Sequence, residues 1–278
     1  MKKVVMAAMG LLMTATAAQA EHKLLVTDVL EPKQVEMQAL YEYSSIEGNL
    51  HDPVEGNGKI KSHASEANLS VGIGLLHGLE VTASVPYLFN ERTSASFASG
   101  AADTEKRDGI GDFALEGKYR LLGGEEAPVT VVTGLGLKFD TAGTRNGGTG
   151  STDVSPFIAA SMNLPRHHTP YAIYRANLRS GEANPDTHTL SLGLEKEVNH
   201  TFTLDAKIDA NFNTATSHVS SNQDFVFELS SYIQVAHNFY VLPNVAYLTA
   251  TDQTLKVTDT RVTGQDGYRV GASLYYLF

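Results

Sequence analysis

Hydrophobic and polar residues alternate along most of this 278-residue chain. In the last stretch, residues 267–278, one face takes Tyr268, Val270, Ala272, Leu274, Tyr276 and Phe278, and the other takes Arg269, Gly271, Ser273, Tyr275 and Leu277. A period of two marks a β-strand with one apolar face. The same count predicts further strands at 34–45, 65–75, 79–89, 109–121, 129–140, 154–164, 171–179, 189–198, 202–213, 224–236 and 239–250, twelve in all. The fourth is the clearest: Phe113, Leu115, Tyr119 and Leu121 alternate with Asp112, Glu116, Lys118 and Arg120. The patterning is weak in the sixth and seventh, so ten strands is the alternative count. Pro86, Pro156 and Pro243 fall inside predicted strands, where each removes a ladder hydrogen bond and marks a bulge or an earlier strand end.

The connections alternate too. The longer ones follow the odd-numbered strands and short turns follow the even-numbered ones. A sandwich in water has no need of that asymmetry, whereas an outer-membrane barrel has short turns on one side and long loops on the other. Aromatic residues gather at the ends of the apolar faces: Tyr41, Tyr43, Tyr87, Phe89, Phe139, Phe212, Phe225, Tyr247 and Tyr268 at one rim, and Tyr119, Phe202, Phe239, Tyr276 and Phe278 at the other. Rings of this kind settle at the headgroup level and aliphatic side chains in the hydrocarbon between. The expectation is an all-β fold, a closed antiparallel up-and-down transmembrane β-barrel of about twelve strands spanning 34–278. A soluble periplasmic β-protein is the rival, because alternation alone does not say which face is dry. In the barrel reading Tyr268, Leu274, Tyr276 and Phe278 form the terminal membrane-assembly signal, and the partners are outer-membrane lipid and the barrel-assembly machinery.

Residues 1–20 stand apart. Lys2 and Lys3 precede an apolar run at 4–15, and Ala18-Gln19-Ala20 is an A-x-A cleavage site, so this stretch reads as a secretory signal peptide. Residues 21–33 then form a short periplasmic lead-in, too short to plug a wide barrel. Cysteine is absent, which removes disulfides and thiolate metal sites. The formal charge is -10 with no basic patch, so nucleic acid is not an expected partner. In a barrel the same acidity biases the lumen toward cations.

The segments GIGDFALEGKYRLL at 109–122, LHGLEVTASVPYLF at 76–89 and LGLKFDTAGTRNGGTGSTDVSPFIAAS at 135–161 together resemble the outer-membrane transporter family named for the MetA pathway of phenol degradation. The match covers about a third of the mature chain plus the terminal strand. The resemblance implies an outer-membrane barrel that moves small, often aromatic or apolar, compounds.

Charges on the polar faces are the candidate lumen-lining, solute-selecting residues: Asp112, Glu116, Lys118, Arg120, Lys138, Asp140, Arg175, Arg179, Asp205, Lys207, Asp209, Glu228 and Arg269. Rings of charge select solutes in pores. The competing reading is a structural lattice of cross-strand salt bridges in a narrow barrel. His167, His168, His200 and His237 lie in turns without ligand spacing, so no metal and no cofactor is expected. Asp205 and Asp209 flank Lys207, which suggests charge balance rather than acid–base work. Asp103, Asp108 and His188 are scattered along the rim, and no enzyme site assembles from the sequence. The expected function is a channel or transporter that passes or binds a small-molecule solute. The alternative is a barrel with a non-transport role, as rim enzyme, surface binding protein or structural element.

Overall fold

The computed structural model describes residues 27–124, 127–143, 147–181 and 184–278. The expected signal peptide at 1–20 and the first part of the expected lead-in lie outside the described residues. The strands are β1 (Val35–Asp52), β2 (Gly56–Leu76), β3 (Leu79–Phe97), β4 (Ala102–Ile110), β5 (Ala114–Leu122), β6 (Val129–Lys138), β7 (Asp153–Met162), β8 (His168–Arg179), β9 (Thr187–Asn199), β10 (Phe202–Asn213), β11 (Asn222–Ala236), β12 (Phe239–Ala250), β13 (Gln253–Leu255) and β14 (Thr260–Leu277). Neighbours pair antiparallel in chain order, with two departures: β4 pairs only with β3, and β13 only with β14. Pairing of β1 with β14, from Glu36↔Leu277 to His51↔Arg261, closes the sheet. Twelve strands therefore form a closed barrel, and closure leaves no unpaired edge. Ten strands is excluded: the sixth and seventh predicted strands are β7 and β8, paired from Asp153↔Arg179 to Ser161↔Tyr171.

The faces are inverted relative to a protein with a dry centre. Ile208 is 47% exposed and Leu274 50% exposed, while Ser273 is 1% exposed. Large aliphatic side chains predominate on the outer face, and polar and charged side chains outnumber apolar ones among the buried positions. Tyr268, Tyr276 and Phe278 are also exposed, on the same outer face as Leu274, and Phe278 donates its N–H to Val35 O. Outward rings meet in cross-strand pairs, including Tyr41–Phe89 at 6.5 Å and Tyr43–Tyr268 at 6.1 Å at the long-loop end, and Phe239–Tyr276 at 6.4 Å at the short-turn end.

Each in-strand proline sits where one flanking ladder is interrupted. Pro86 lies opposite the break between β4 and β5, where Gly111 N–H reaches Pro86 O. The β7–β8 register skips Pro156, and the β11–β12 register skips Pro243. The strands continue past these points, so none of the three ends a strand.

Three features depart from the sequence reading. First, β1, β2, β3 and β14 run past the aromatic girdle; the ten residues from Tyr43 to Asp52 rise about 30 Å. Residues 48–58, 90–108 and 251–266 read as polar connections because their outer faces carry exposed polar side chains such as His51, Asn57, Arg92 and Arg261, and Lys59 and Lys61 follow on β2. Their inner faces instead pack Leu50, Ile60, Ala95, Phe97 and Val262 against Val219 and Leu255 in a small apolar core. Above the girdle the outer face carries charged side chains and the apolar side turns in, as burial of apolar surface requires where the outside is polar. A bulge at Asn90, with φ +50°, shifts the inward set on β3 from even to odd positions. Second, the fourth predicted strand begins late: β5 starts at Ala114, and Asp112 lies in the break that precedes it. Third, the lead-in enters the barrel. Thr27, Val29 and Leu30 are buried, so a segment expected to be too short to plug the barrel forms a strap inside its short-turn end.

Candidate functional site: the barrel lumen

Inward side chains divide the lumen into a strap, a salt-bridge lattice, a waist cavity and a clasped loop. The strap crosses the short-turn end. Thr27 Oγ1 bonds Ser161 Oγ of β7 at 2.7 Å, Arg120 Nη2 of β5 donates to Val29 O at 3.2 Å, and Leu30 N–H donates to Glu80 Oε2 of β3 at 2.9 Å. Glu31 lies 3.7 Å from Arg120 and 2.9 Å from His77. Val29 packs with Val132, Phe157, Ala159, Tyr171 and Ile173, an apolar patch facing inward.

The lattice lies mid-barrel on the β10–β14 wall and across to β1. Arg269 Nη2 donates to Glu228 Oε2 at 2.6 Å, and its Nε lies 3.6 Å from Glu42 Oε1. Lys207 Nζ lies 3.3 Å from Asp209 and 3.8 Å from Glu228. Glu228 and Arg269 are not on adjacent strands; both lie opposite Ala246 of β12, whose small side chain lets the guanidinium cross. The same device recurs. Arg175 Nη1 of β8 reaches Glu116 Oε2 of β5 at 2.9 Å across β6 and β7, passing over Gly136, and its guanidinium stacks 4.4 Å above Phe157. The Phe157 ring covers Gly134, where a Cβ would stand 2.2 Å from it. Tyr171 lies over Gly193, and its hydroxyl donates to Asp205 at 3.0 Å. Glycine and alanine between charged partners are the signal that a count of charges alone misses.

The loop between β6 and β7 folds inward at the long-loop end and is clasped by Asp112. Oδ1 accepts the N–H groups of Thr141 at 3.1 Å and Ala142 at 3.0 Å, and Oδ2 accepts Thr149 N–H at 2.8 Å and its hydroxyl at 3.0 Å. Gly147 bridges Gly111, and Arg107 Nη2 donates to Gly148 O at 2.5 Å. At Gly148 a Cβ would stand 2.0 Å from Ala142 O, so only glycine fits. Lys138 bonds Thr149 and lies 3.0 Å from Asp153, which Arg179 approaches at 3.6 Å. The G-x-G-D and G-T-G-S-T-D segments, far apart in the chain, thus meet as two halves of one clasp.

Between lattice and clasp lies a waist cavity of about 1340 Å³, its solvent-open part included, walled by β1, β2, β3, β5, β6, β7 and β8. Glu66, Asn68, Thr82, Ser84, Glu116, Lys138, Arg175 and Asn177 line it, with Ile46, Ala64, Pro86 and Leu88.

Of the residues singled out from the sequence, Asp112, Glu116, Lys138, Arg175, Arg179, Asp205, Lys207, Asp209, Glu228 and Arg269 stand in these networks, and Lys118 pairs with Glu80 at 3.8 Å. Arg120 belongs to the strap. Asp140 differs from the reading as a strand residue: β6 ends at Lys138, and Asp140 is exposed in the loop that follows, outside these networks. Glu42, Glu66 and Glu80 fall on the polar faces of the first three predicted strands but were not among the candidates, and Glu91 fell in the stretch read as a polar connection, 90–108. Among the described residues no group of acidic and His side chains converges as a metal site. His167 pairs with Glu197 at 3.1 Å at the rim.

No protein-family model matches the chain, and comparison with curated proteins gives no match. Among solved structures the chain is similar to an outer membrane channel from Pseudomonas putida F1, with a TM-score of 0.68, 14% identity, and coverage of 93% of this chain and 100% of that one. The KdgM porin in complex with disordered oligogalacturonate aligns with a TM-score of 0.48 and 12% identity, over 82% of this chain and 97% of that one. A FadL homologue from Pseudomonas aeruginosa aligns with a TM-score of 0.46 and 9% identity, over 90% and 91%. At 14% identity the likeness to the Pseudomonas putida channel is one of fold: a closed outer-membrane-type barrel.

Proposed function

We propose that this protein is an outer-membrane channel that passes or binds small molecules, with the strap and short turns facing the periplasm and the clasped loop and apolar cap facing outside. The observation that carries the reading is the inversion of the barrel. An apolar belt edged by aromatic rings surrounds a wall of hydrogen-bonding and charged groups, and that wall encloses the waist cavity. Such a wall solvates polar solutes where the bilayer does not. Carboxylates outnumber cations along it, which favours cationic solutes. The apolar floor of Ile46, Ala64, Pro86 and Leu88 suits solutes with an apolar or aromatic body, in keeping with the resemblance at 76–89, 109–122 and 135–161. The reading assigns the barrel no catalytic role, and its partners are lipid, the barrel-assembly machinery and solute.

A second reading, a barrel closed at rest that binds rather than passes solute, is favoured by the strap across the short-turn end. Reconstitution into planar bilayers separates the two. Discrete cation-preferring conductance is the expected result. No conductance and no solute flux from a protein that folds in detergent would remove the channel and leave the binding barrel.

A further inference from the structure

Glu66 stands in the lumen without the partners that Glu42, Glu80, Glu116 and Glu228 have. It lies directly opposite Glu42 on β1, the like-charge arrangement that destabilises a sheet. Glu42 has Arg269 and an Asn244 Nδ2–H bond at 3.0 Å; no hydrogen bond or ion pair reaches the Glu66 carboxylate among the described residues. Two shielded acceptors that lack a hydrogen bond flank it on the same wall. Asn68 Oδ1, one inward position below, is shielded and accepts no hydrogen bond. Glu91 Oε2, above it on β3, also accepts none, although Arg107 Nη1 lies 3.5 Å away. All three residues line the waist cavity, and Ala64, Pro86 and Leu88 line it beside them. Shielded acceptors without a hydrogen bond are costly, and a cation with N–H donors lowers the cost.

We propose that the cavity is a binding site for an organic ammonium ion with an apolar body. The ammonium donates to Glu66 and to the flanking acceptors, and the hydrocarbon part rests on the Ala64, Pro86 and Leu88 floor. A bare metal ion would satisfy the carboxylate but leave the floor empty; a neutral aromatic would cover the floor but leave Glu66 unpaired. The inference deepens the proposed function, on which it rests, by naming the solute class at that same cavity.

The test is titration calorimetry of the full-length mature protein folded in detergent, with phenethylammonium, 2-phenylethanol and methylammonium as probes. Phenethylammonium is expected to bind at least tenfold more tightly than either of the others, and Glu66→Gln is expected to abolish that preference. Equal affinity for phenethylammonium and 2-phenylethanol overturns the site, as does a Glu66→Gln variant that keeps the preference. Equal affinity for methylammonium overturns the apolar half of it. If Glu66→Gln does not fold, the wild-type comparison decides alone. Calorimetry does not depend on conductance, so a silent bilayer experiment removes the channel without touching this site. A conducting barrel without amine preference removes the site alone.

Discussion

Replacing Arg269 by methionine isolates the role of the lattice. The Arg269 and Glu228 side chains are 2% and 1% exposed, with 2.6 Å between charge-bearing atoms, and Arg269 is also the ion-pair partner of Glu42. Exposed pairs contribute about 0–1 kcal/mol. Removing one partner of a buried pair costs about 3–5 kcal/mol, because the other charge is left uncompensated. Lys207, 3.8 Å from Glu228, offsets part of that, so Arg269→Met is expected to cost about 3 kcal/mol, roughly a 150-fold shift in the unfolding constant. Glu228→Gln together with Arg269→Met is expected to cost less than the two single changes added. The chain has no tryptophan, so unfolding of the vesicle-folded protein in urea is best followed by far-UV circular dichroism and by mobility in unheated gels. A loss below about 0.5 kcal/mol for Arg269→Met would mean that water already screens the pair. The lattice would then be an ornament of a wet pore.

Other outcomes follow from the same geometry. Deleting residues 27–31 removes the strap and its bonds to Ser161, Arg120 and Glu80; single-channel conductance is expected to rise at least twofold, and an unchanged value would mean that the strap does not obstruct the pore. Gly193→Ala puts a Cβ 2.1 Å from the Tyr171 ring, so the ring must leave Asp205, with an expected loss of about 1–3 kcal/mol in the same urea assay. At the external tip of β1, burial pushes the Asp52 carboxyl up, but hydrogen bonds from Thr260, Glu55 and Val54 outweigh it and hold the group below its ordinary range. A depressed carboxyl stabilises above its unfolded value, near 3.9, and that stabilisation is lost as pH falls through the folded value. Limited proteolysis of the tip should therefore accelerate only below about pH 4, and Thr260→Val should bring the onset to higher pH.

The barrel was legible because lipid-facing strands must alternate and short turns must alternate with long loops. Ile208, Leu274 and Val81 lie on the outer faces where counting put them. The sheet above the girdle was not legible, because Lys59, Arg92 and Arg261 face water there and the buried Leu50, Phe97 and Leu255 are spread over separate segments. The strap was missed for a different reason. Length limits how much lumen a segment fills, but Thr27 to Glu31 need only reach inward donors and acceptors already present at one end. Charges on β5, β8, β10, β11 and β14 were found as lumenal. Their pairing was not, since Arg269 meets Glu228 across Ala246 and Arg175 meets Glu116 across Gly136, contacts that skip whole strands. Asp112 shows the limit most plainly: its parity placed it on a wall, and its backbone partners made it the clasp of a loop.

The central claim is that hydrocarbon touches one face of each strand and the polar lumen lies behind the other. A chain without cysteine allows single nitroxide labels to be placed along 268–276 in lipid vesicles without background. Collision with oxygen, which concentrates in the bilayer, should be high at 268, 270, 272, 274 and 276 and low at 269, 271, 273 and 275. High collision at the odd positions, or protection at Leu274 equal to that at Ser273, would contradict the account.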